Sequence, residues 1–212
     1  MKLIPFSQCL DVNLYDKSKV NILALHETGH LIVMYAMDMM NYFSSITIQA
    51  GNHTNEVTGA PNQVSGLTDV TPDLMERMLQ FSKELAIIPD SGAALTKTVR
   101  KTRIEGAVLY LPNICRLFGG GAICRHYGMP DEGLCEIDYS HIDLLLSGLG
   151  LPNQRETLRP LVDMYLNTVF LSLDLLAKAI YKNLVANGTL DKEQVMQIIA
   201  EWEDYKLFNL NQ

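Results

Sequence analysis

Three residues near the amino terminus have the types and spacing for metal chemistry: His26, Glu27 and His30, in a His-Glu-x-x-His sequence. On an α-helix, residues four positions apart lie on one face about one turn apart, so both imidazoles can reach a single metal ion. A glutamate directly after the first histidine can accept a proton from a water molecule on that ion. The spacing predicts a metal site, with zinc as the expected ion and Glu27 as the catalytic base.

The neighbours of the motif favour a metal site over a chance pattern on an exposed helix face. Residues 22–25 and 31–33 are apolar, so this part of the helix should be buried. Burying histidine and glutamate side chains without partners costs several kcal/mol, and a bound ion would remove that cost. Gly29 weakens the helix by up to about 1 kcal/mol relative to alanine, which is understandable if something approaches its backbone closely.

A catalytic zinc usually has three protein ligands and one open position, and the spacing does not identify the third ligand. His30 is followed by Leu-Ile-Val-Met-Tyr-Ala, so the HExxHxxGxxH continuation of the metzincins is absent. Glu56 is within reach along the chain, but its surroundings indicate a turn between strands, and His53 in the same loop should be solvated. The later candidates are Glu136, Asp138 and Asp143, with His141 nearby.

The hydrophobic pattern predicts a mainly α-helical fold with a small β-hairpin or sheet after the motif helix. The motif helix should cover about 17–41, with Asp16 as its N-cap. The β region should cover about 44–68, and the remainder, about 71–204, should be helical. No linker or repeat divides the chain, so residues 1–212 are expected to form one domain.

Four local signals refine the helical remainder. Pro112 should interrupt the chain between two helical segments, because a proline inside a helix removes a hydrogen bond. The run Gly119–Gly121 is more typical of a flexible or tightly packed turn. Residues 154–186 should form one long helix that ends at Gly188, and a last helix should begin at Leu190.

Composition excludes several functional classes. The chain has 212 residues, with 17 Lys+Arg and 24 Asp+Glu, so its net charge of −7 argues against binding nucleic acid. The longest apolar run, Leu31–Met37, is far shorter than the ~20 residues of a membrane span. The first residues lack the apolar region of a cleavable signal. Four cysteines without a CxxC pair indicate free thiols in a reducing compartment, so we expect a cytoplasmic protein.

Five segments resemble, in order, the peptidase domain of the FtsH-type AAA+ membrane proteases, which are zinc metallopeptidases. LHETGHLIV at 25–33 resembles the family's HEAGH helix, and 44–62 resembles its following strand and glycine-bearing loop. Residues 117–128 resemble the GGRxAEE helix region. Residues 134–147 resemble the GASND-type segment that supplies the third ligand, and 176–199 the closing helix pair.

The resemblance implies roles for particular residues. It makes His26 and His30 zinc ligands and Glu27 the base. The family's aspartate ligand matches Asp138 best, because the residues four and seven positions later are apolar as in the family, and Asp143 is the alternative. The implied activity is hydrolysis of peptide bonds.

Two departures from the family pattern shape the functional hypotheses. The arginine and paired glutamates of GGRxAEE are absent from residues 120–124, and the chain has no GxxxxGK[ST] phosphate loop. The leading hypothesis is a zinc metallopeptidase that acts on peptides or unfolded segments without its own ATPase. The alternative is a catalytically silent zinc-binding domain that docks on an AAA+ partner or forms a homo-oligomer. A metal-free helical protein is the third hypothesis.

Overall fold

A computed structural model gives the chain a mainly helical fold with a small three-stranded antiparallel sheet, as the sequence predicts. It describes residues 2–10, 18–54, 61–64, 66–74, 76–78, 80, 97–131 and 133–210. The helices are α1 (Lys19–Ala36), α2 (Lys97–His126), α3 (Glu136–Gly148), α4 (Arg155–Ser172), α5 (Asp174–Asn187) and α6 (Lys192–Leu210). The strands are β1 (Phe43–Thr47), β2 (Gly51–Thr54), β3 (Pro61–Val64), β4 (Leu67–Val70) and β5 (Thr189–Asp191). Residues 72–74, 76–78 and 80 are also helical.

Helix α1 runs through the core and carries the His-Glu-x-x-His motif. It is buried from Leu23 to Met34, because α2, α5 and the sheet pack around it. The Ser18 hydroxyl caps its start by accepting a hydrogen bond from the Asn21 backbone N–H at 3.4 Å. The helix ends at Ala36, before Asp38, which has a left-handed φ of 55°. It is thus shorter than the predicted 17–41, and the predicted cap, Asp16, lies outside the described residues.

Helix α2 is continuous through the proline and the glycine run at which the sequence predicts that the helix ends. Pro112 lies inside it, and Gly119–Gly121 are helical, so both predictions of a break are wrong. A proline in a helix interior costs about 3 kcal/mol. The buried side chains of Ile114, Phe118 and Ile123 pack into the core, and such tertiary packing supplies most of the stability of helices in proteins.

The predicted helix over 154–186 is two helices, α4 and α5, separated at Leu173. Asp174 opens α5, where a negative charge is favourable at the helix amino terminus. Its carboxylate accepts hydrogen bonds from the Tyr127 hydroxyl at 2.6 Å and from Lys178 Nζ at 2.7 Å. Gly188 ends α5 with a φ of 76°, as predicted.

The sheet has the strand order β4-β1-β5 and packs against α1. Ile46 in the central strand pairs with Thr68 on one side and with Leu190 on the other. The prediction that a helix begins at Leu190 is therefore wrong. Asp191 and Gln194 exchange backbone–side-chain hydrogen bonds of 2.9 and 3.0 Å, a capping box that starts α6 only after the strand.

Two expectations from composition agree with the structure. Among the residues that are described, no helix combines the length and the apolar character needed to cross a bilayer. The four cysteines carry free thiols, and those of Cys9, Cys124 and Cys135 are buried.

Candidate metal centre

The motif residues of α1 form a buried group that could hold a metal ion. His26, Glu27 and His30 have exposed fractions of only 3%, 4% and 4%. Each offers one ligand atom, and these atoms lie within 4.8 Å of one another. The burial follows from the apolar residues on both sides of the motif, which place this turn of α1 in the core. The sequence prediction of a possible metal site on this turn is confirmed.

Asp138, near the start of α3, lies directly beside both imidazoles. Its Oδ2 is 3.1 Å from His26 Nε2 and 3.4 Å from His30 Nε2. The two Nε2 atoms are 3.1 Å apart. A tetrahedral zinc shell with ligand distances of about 2.0–2.1 Å has neighbouring ligand atoms about 3.3 Å apart. The three atoms therefore have the spacing of three corners of such a shell.

The second ring nitrogen of His30 determines which nitrogen can bind a metal. His30 Nδ1 lies 2.8 Å from the backbone carbonyl oxygen of Arg116, which can only accept a hydrogen bond. Nδ1 must therefore carry the proton, and in the neutral ring the lone pair is on Nε2. That lone pair lies on the side of His26 and Asp138. This is the usual arrangement for a metal-binding histidine, whose other ring N–H is held by a carbonyl or carboxylate.

Glycines let α2 cross α1 next to the Nε2 atoms of both imidazoles. A Cβ on Gly120 would lie 2.6 Å from His26 Nε2 and 2.7 Å from His30 Nε2, so any larger residue would displace the rings. A Cβ on Gly119 would lie 2.8 Å from the Gly29 carbonyl oxygen. The predicted close approach to the backbone of Gly29 is confirmed, and the approaching group is the backbone of α2.

The charges of the group are mutually dependent. Burial alone lowers the pKa of His26, but the hydrogen bond with Asp138 opposes it, and the pKa is raised well above its ordinary value. Burial alone raises the pKa of Asp138, but the charge of His30 and the hydrogen bond with His26 hold it well below its usual range. A proton on His26 and an ionised Asp138 therefore stabilise each other, and a metal ion would take the place of that proton.

Zinc affinity should therefore rise with pH. Asp138 is ionised throughout the neutral range, since its pKa is lowered, so a zinc ion held by both residues would have to displace the proton on His26. As the pH falls through the raised pKa of His26, affinity should fall by up to about tenfold per pH unit for each displaced proton. Competition with a chromophoric chelator between about pH 5 and pH 9 measures this slope. An affinity independent of pH would contradict it.

Glu27 lies on the same turn, and β4 holds its carboxylate. Glu27 Oε2 accepts a hydrogen bond of 3.0 Å from the Thr68 hydroxyl. Burial raises the pKa of Glu27, and this effect outweighs the lowering by His30 and His26. A carboxylate with a raised pKa is a better proton acceptor than an exposed one, which suits a general base.

A cavity of about 250 Å³ borders the group and gives it access to other molecules. Its walls come from α1, β4, the centre of α2 and the start of α3. Alongside His26, Glu27, His30 and Asp138, the lining includes Gly66, Thr68, Arg116, Glu136 and His141. A small ligand can therefore approach the space between the imidazoles and the Glu27 carboxylate.

The remaining candidates for the third ligand lie in other environments. Asp143 accepts a hydrogen bond from Arg155 at 2.7 Å, and its side chain is 47% exposed. Glu136 lines the cavity but is exposed, and His141 lines it while buried. His53 lies in β2, and Glu56 lies outside the described residues. Asp138 is thus the candidate that the structure places in contact with both imidazoles.

Sequence reasoning missed the groups that orient the centre. The Thr68 hydroxyl, the Arg116 carbonyl and the space left by Gly120 all depend on chain segments distant from α1. One usable signal is the run of three glycines, Gly119–Gly121, in an otherwise apolar segment, which is also typical of a close helix crossing.

Comparison with known proteins adds no relative from which a role could be transferred to these residues. The FtsH-type resemblance therefore remains an interpretation of the motifs, and the case for a metal centre depends on the geometry of His26, His30 and Asp138. Protein-family models, curated proteins and solved structures were each compared with the chain, and none matches it.

Proposed function

We propose that this chain is a zinc-dependent metallopeptidase that hydrolyses peptide bonds in peptides or unfolded segments, without an ATPase of its own. The observation that carries the proposal is the spacing of His26 Nε2, His30 Nε2 and Asp138 Oδ2, with the Glu27 carboxylate on the same helical turn. Two imidazoles and one carboxylate are a usual donor set for catalytic zinc. The resemblance of the motif segments to FtsH-type peptidases supports the same activity.

In this proposal His26, His30 and Asp138 hold the ion, and Glu27 moves the proton. A bound zinc supplies Lewis acidity, which lowers the pKa of water and polarises a peptide carbonyl. Glu27 accepts the proton of the attacking water and delivers it to the nitrogen of the leaving amine. The burial that raises the pKa of Glu27 makes its carboxylate a better acceptor for the proton of the water.

The size of the cavity supports small or extended substrates. Its volume of about 250 Å³ is just below the range of about 300–1,000 Å³ for typical ligand pockets, so it suits a short stretch of peptide. Its apolar lining, including Leu23, Leu67 and Leu117, suits the side chains of an unfolded segment. We therefore propose peptides, flexible tails and unfolded segments as the substrate class.

Metal analysis combined with a proteolysis assay tests the proposal. The purified chain should contain zinc in equal proportion to protein and should cleave casein or a peptide library. A chelator should stop the cleavage, and added zinc should restore it. Stoichiometric zinc without turnover would instead favour the catalytically silent interaction domain, and a chain that binds no metal would overturn both functions.

A further inference from the structure

Thr68, in the edge strand β4, contacts both the backbone carbonyl and the side-chain carboxylate of Glu27. Its hydroxyl lies 3.0 Å from the Glu27 backbone oxygen and 3.0 Å from Glu27 Oε2, and it can donate to either. Thr68 is buried, and its strand is positioned by the pairing of Thr68 with Ile46 in β1. The sheet, through Thr68, and helix α1 therefore both fix the position of the Glu27 carboxylate.

Gly66, the residue directly before β4, is adjacent to the other carboxylate oxygen. A Cβ on Gly66 would lie 2.8 Å from Glu27 Oε1, closer than real Cβ contacts allow. Both Gly66 and Glu27 line the cavity. The two carboxylate oxygens thus have different neighbours. Oε2 lies within hydrogen-bond distance of the Thr68 hydroxyl, whereas Oε1 lies against Gly66, which has no side chain.

We propose that Thr68 is a positioning residue that holds Glu27 through Oε2 and leaves Oε1 as the oxygen that takes the proton of the attacking water. The inference rests on the proposed peptidase function. In the step, an O–H bond of water breaks, the water oxygen bonds to the peptide carbonyl carbon, and the proton bonds to Oε1. The C–N bond then breaks, and the proton passes from Oε1 to the nitrogen of the leaving amine. In this proposal Thr68 acts through Glu27, to which its hydroxyl is hydrogen-bonded.

The physical basis is the geometric demand of proton transfer. A general base must lie within hydrogen-bond reach of the proton it abstracts, and a displacement of about 1 Å can cost about 100-fold in rate. Without the hydroxyl, the buried carboxylate loses its donor and can rotate towards the imidazoles or into the cavity. The proposed metal ligands should be unaffected, because the hydrogen bonds of the Thr68 hydroxyl to described residues both go to Glu27.

Three variants separate positioning from general stability. Thr68→Val keeps the shape and removes the hydroxyl, whereas Thr68→Ser keeps the hydroxyl. Thr47→Val is the matched control, because the Thr47 hydroxyl bonds to the Thr189 hydroxyl at 2.7 Å across the β1–β5 side of the same sheet. For each variant, kcat and KM on a peptide substrate, zinc affinity by chelator competition and Tm are measured.

T68V should lower kcat by about 10- to 100-fold, with KM and zinc affinity unchanged. T68S should recover most of that kcat, because it restores the donor. T47V should lower Tm without changing kcat. A T68V enzyme with the parental kcat, or a T68S enzyme as slow as T68V, would overturn the inference.

A second measurement tests the contact without using activity. T68V is introduced into the parent and into an E27M background, where the carboxylate acceptor is absent. Loss of one buried hydrogen bond in a chain of this size should lower Tm by about 2–4 °C in the parent. The decrease should be smaller in the E27M background, and equal decreases would show that Thr68 does not hold the Glu27 side chain.

These readouts keep the two proposals distinguishable. A parent chain that binds zinc but shows no chelator-sensitive turnover would overturn the peptidase function and the assignment of Oε1. The Tm comparison would still decide whether Thr68 positions the carboxylate. If turnover is present and T68V is unimpaired, the peptidase function stands and the positioning inference fails.

Discussion

The Glu27→Gln variant should retain zinc and lose about 10²- to 10⁴-fold in peptide cleavage, the range of a general base. Glutamine has nearly the same shape as glutamate, and its amide oxygen can still accept the hydrogen bond from Thr68. It cannot accept a proton from water. The metal ligands in the proposal are His26, His30 and Asp138, so zinc content measured by elemental analysis should match the parent, while kcat falls.

Glu136→Gln is the matched control for this prediction. It makes the same change of charge in a residue that lines the same cavity, but the Glu136 side chain is exposed at the start of α3. The control should cleave at the parental rate, since its carboxylate is in contact with solvent. An E27Q enzyme that cleaves as fast as the parent would remove Glu27 from the mechanism, whatever the zinc content.

The motif turn was predictable because its determinants are local. The i, i+4 spacing of His26 and His30 is a property of the helix itself. The apolar residues on both sides were sufficient to predict burial, and α1 is indeed enclosed from Leu23 to Met34. The glycine at position 29 also predicts that another group approaches the backbone closely. Nothing in the local sequence identifies that group as α2.

Asp138 could not be chosen from the residues alone, because 112 positions separate it from His26. Its place beside the imidazoles depends on how α3 packs against α2, which is a tertiary property. Asp143 lies on the same helix, but the structure shows that its carboxylate contacts Arg155 instead of the imidazoles. The resemblance to FtsH-type peptidases favoured Asp138 through the spacing of the apolar residues that follow it.

The errors in the fold have a common physical origin. The predictions at Pro112, Gly119–Gly121 and Leu190 each depend on local propensity. In the structure, packing against the core keeps α2 continuous through the proline and the glycines. Leu190 pairs with Ile46, so a segment of helical composition becomes the third strand of the sheet. Tertiary contacts outweighed local preferences of at most a few kcal/mol.

Asp138→Asn should weaken zinc binding by about 100-fold or more. Zinc-binding free energies of about 10–16 kcal/mol are shared over four ligands, so one ligand contributes roughly 3 kcal/mol, and each 1.4 kcal/mol is about tenfold in affinity. The substitution preserves the shape and removes the charge next to His26 and His30. Affinity is measured by competition with a chromophoric chelator at one pH, because protons compete with zinc for His26.

Asp143→Asn makes the same change on the same helix and should leave zinc affinity unchanged. Asp143 pairs with Arg155, and such exposed ion pairs contribute at most about 1 kcal/mol to stability. If D138N binds zinc as tightly as the parent, Asp138 is not the third ligand. Glu27, whose carboxylate lies within 4.8 Å of the ring nitrogens, would then be the nearest alternative, and E27Q would lose zinc as well as activity. The two variants together therefore decide which carboxylate holds the metal and which moves the proton.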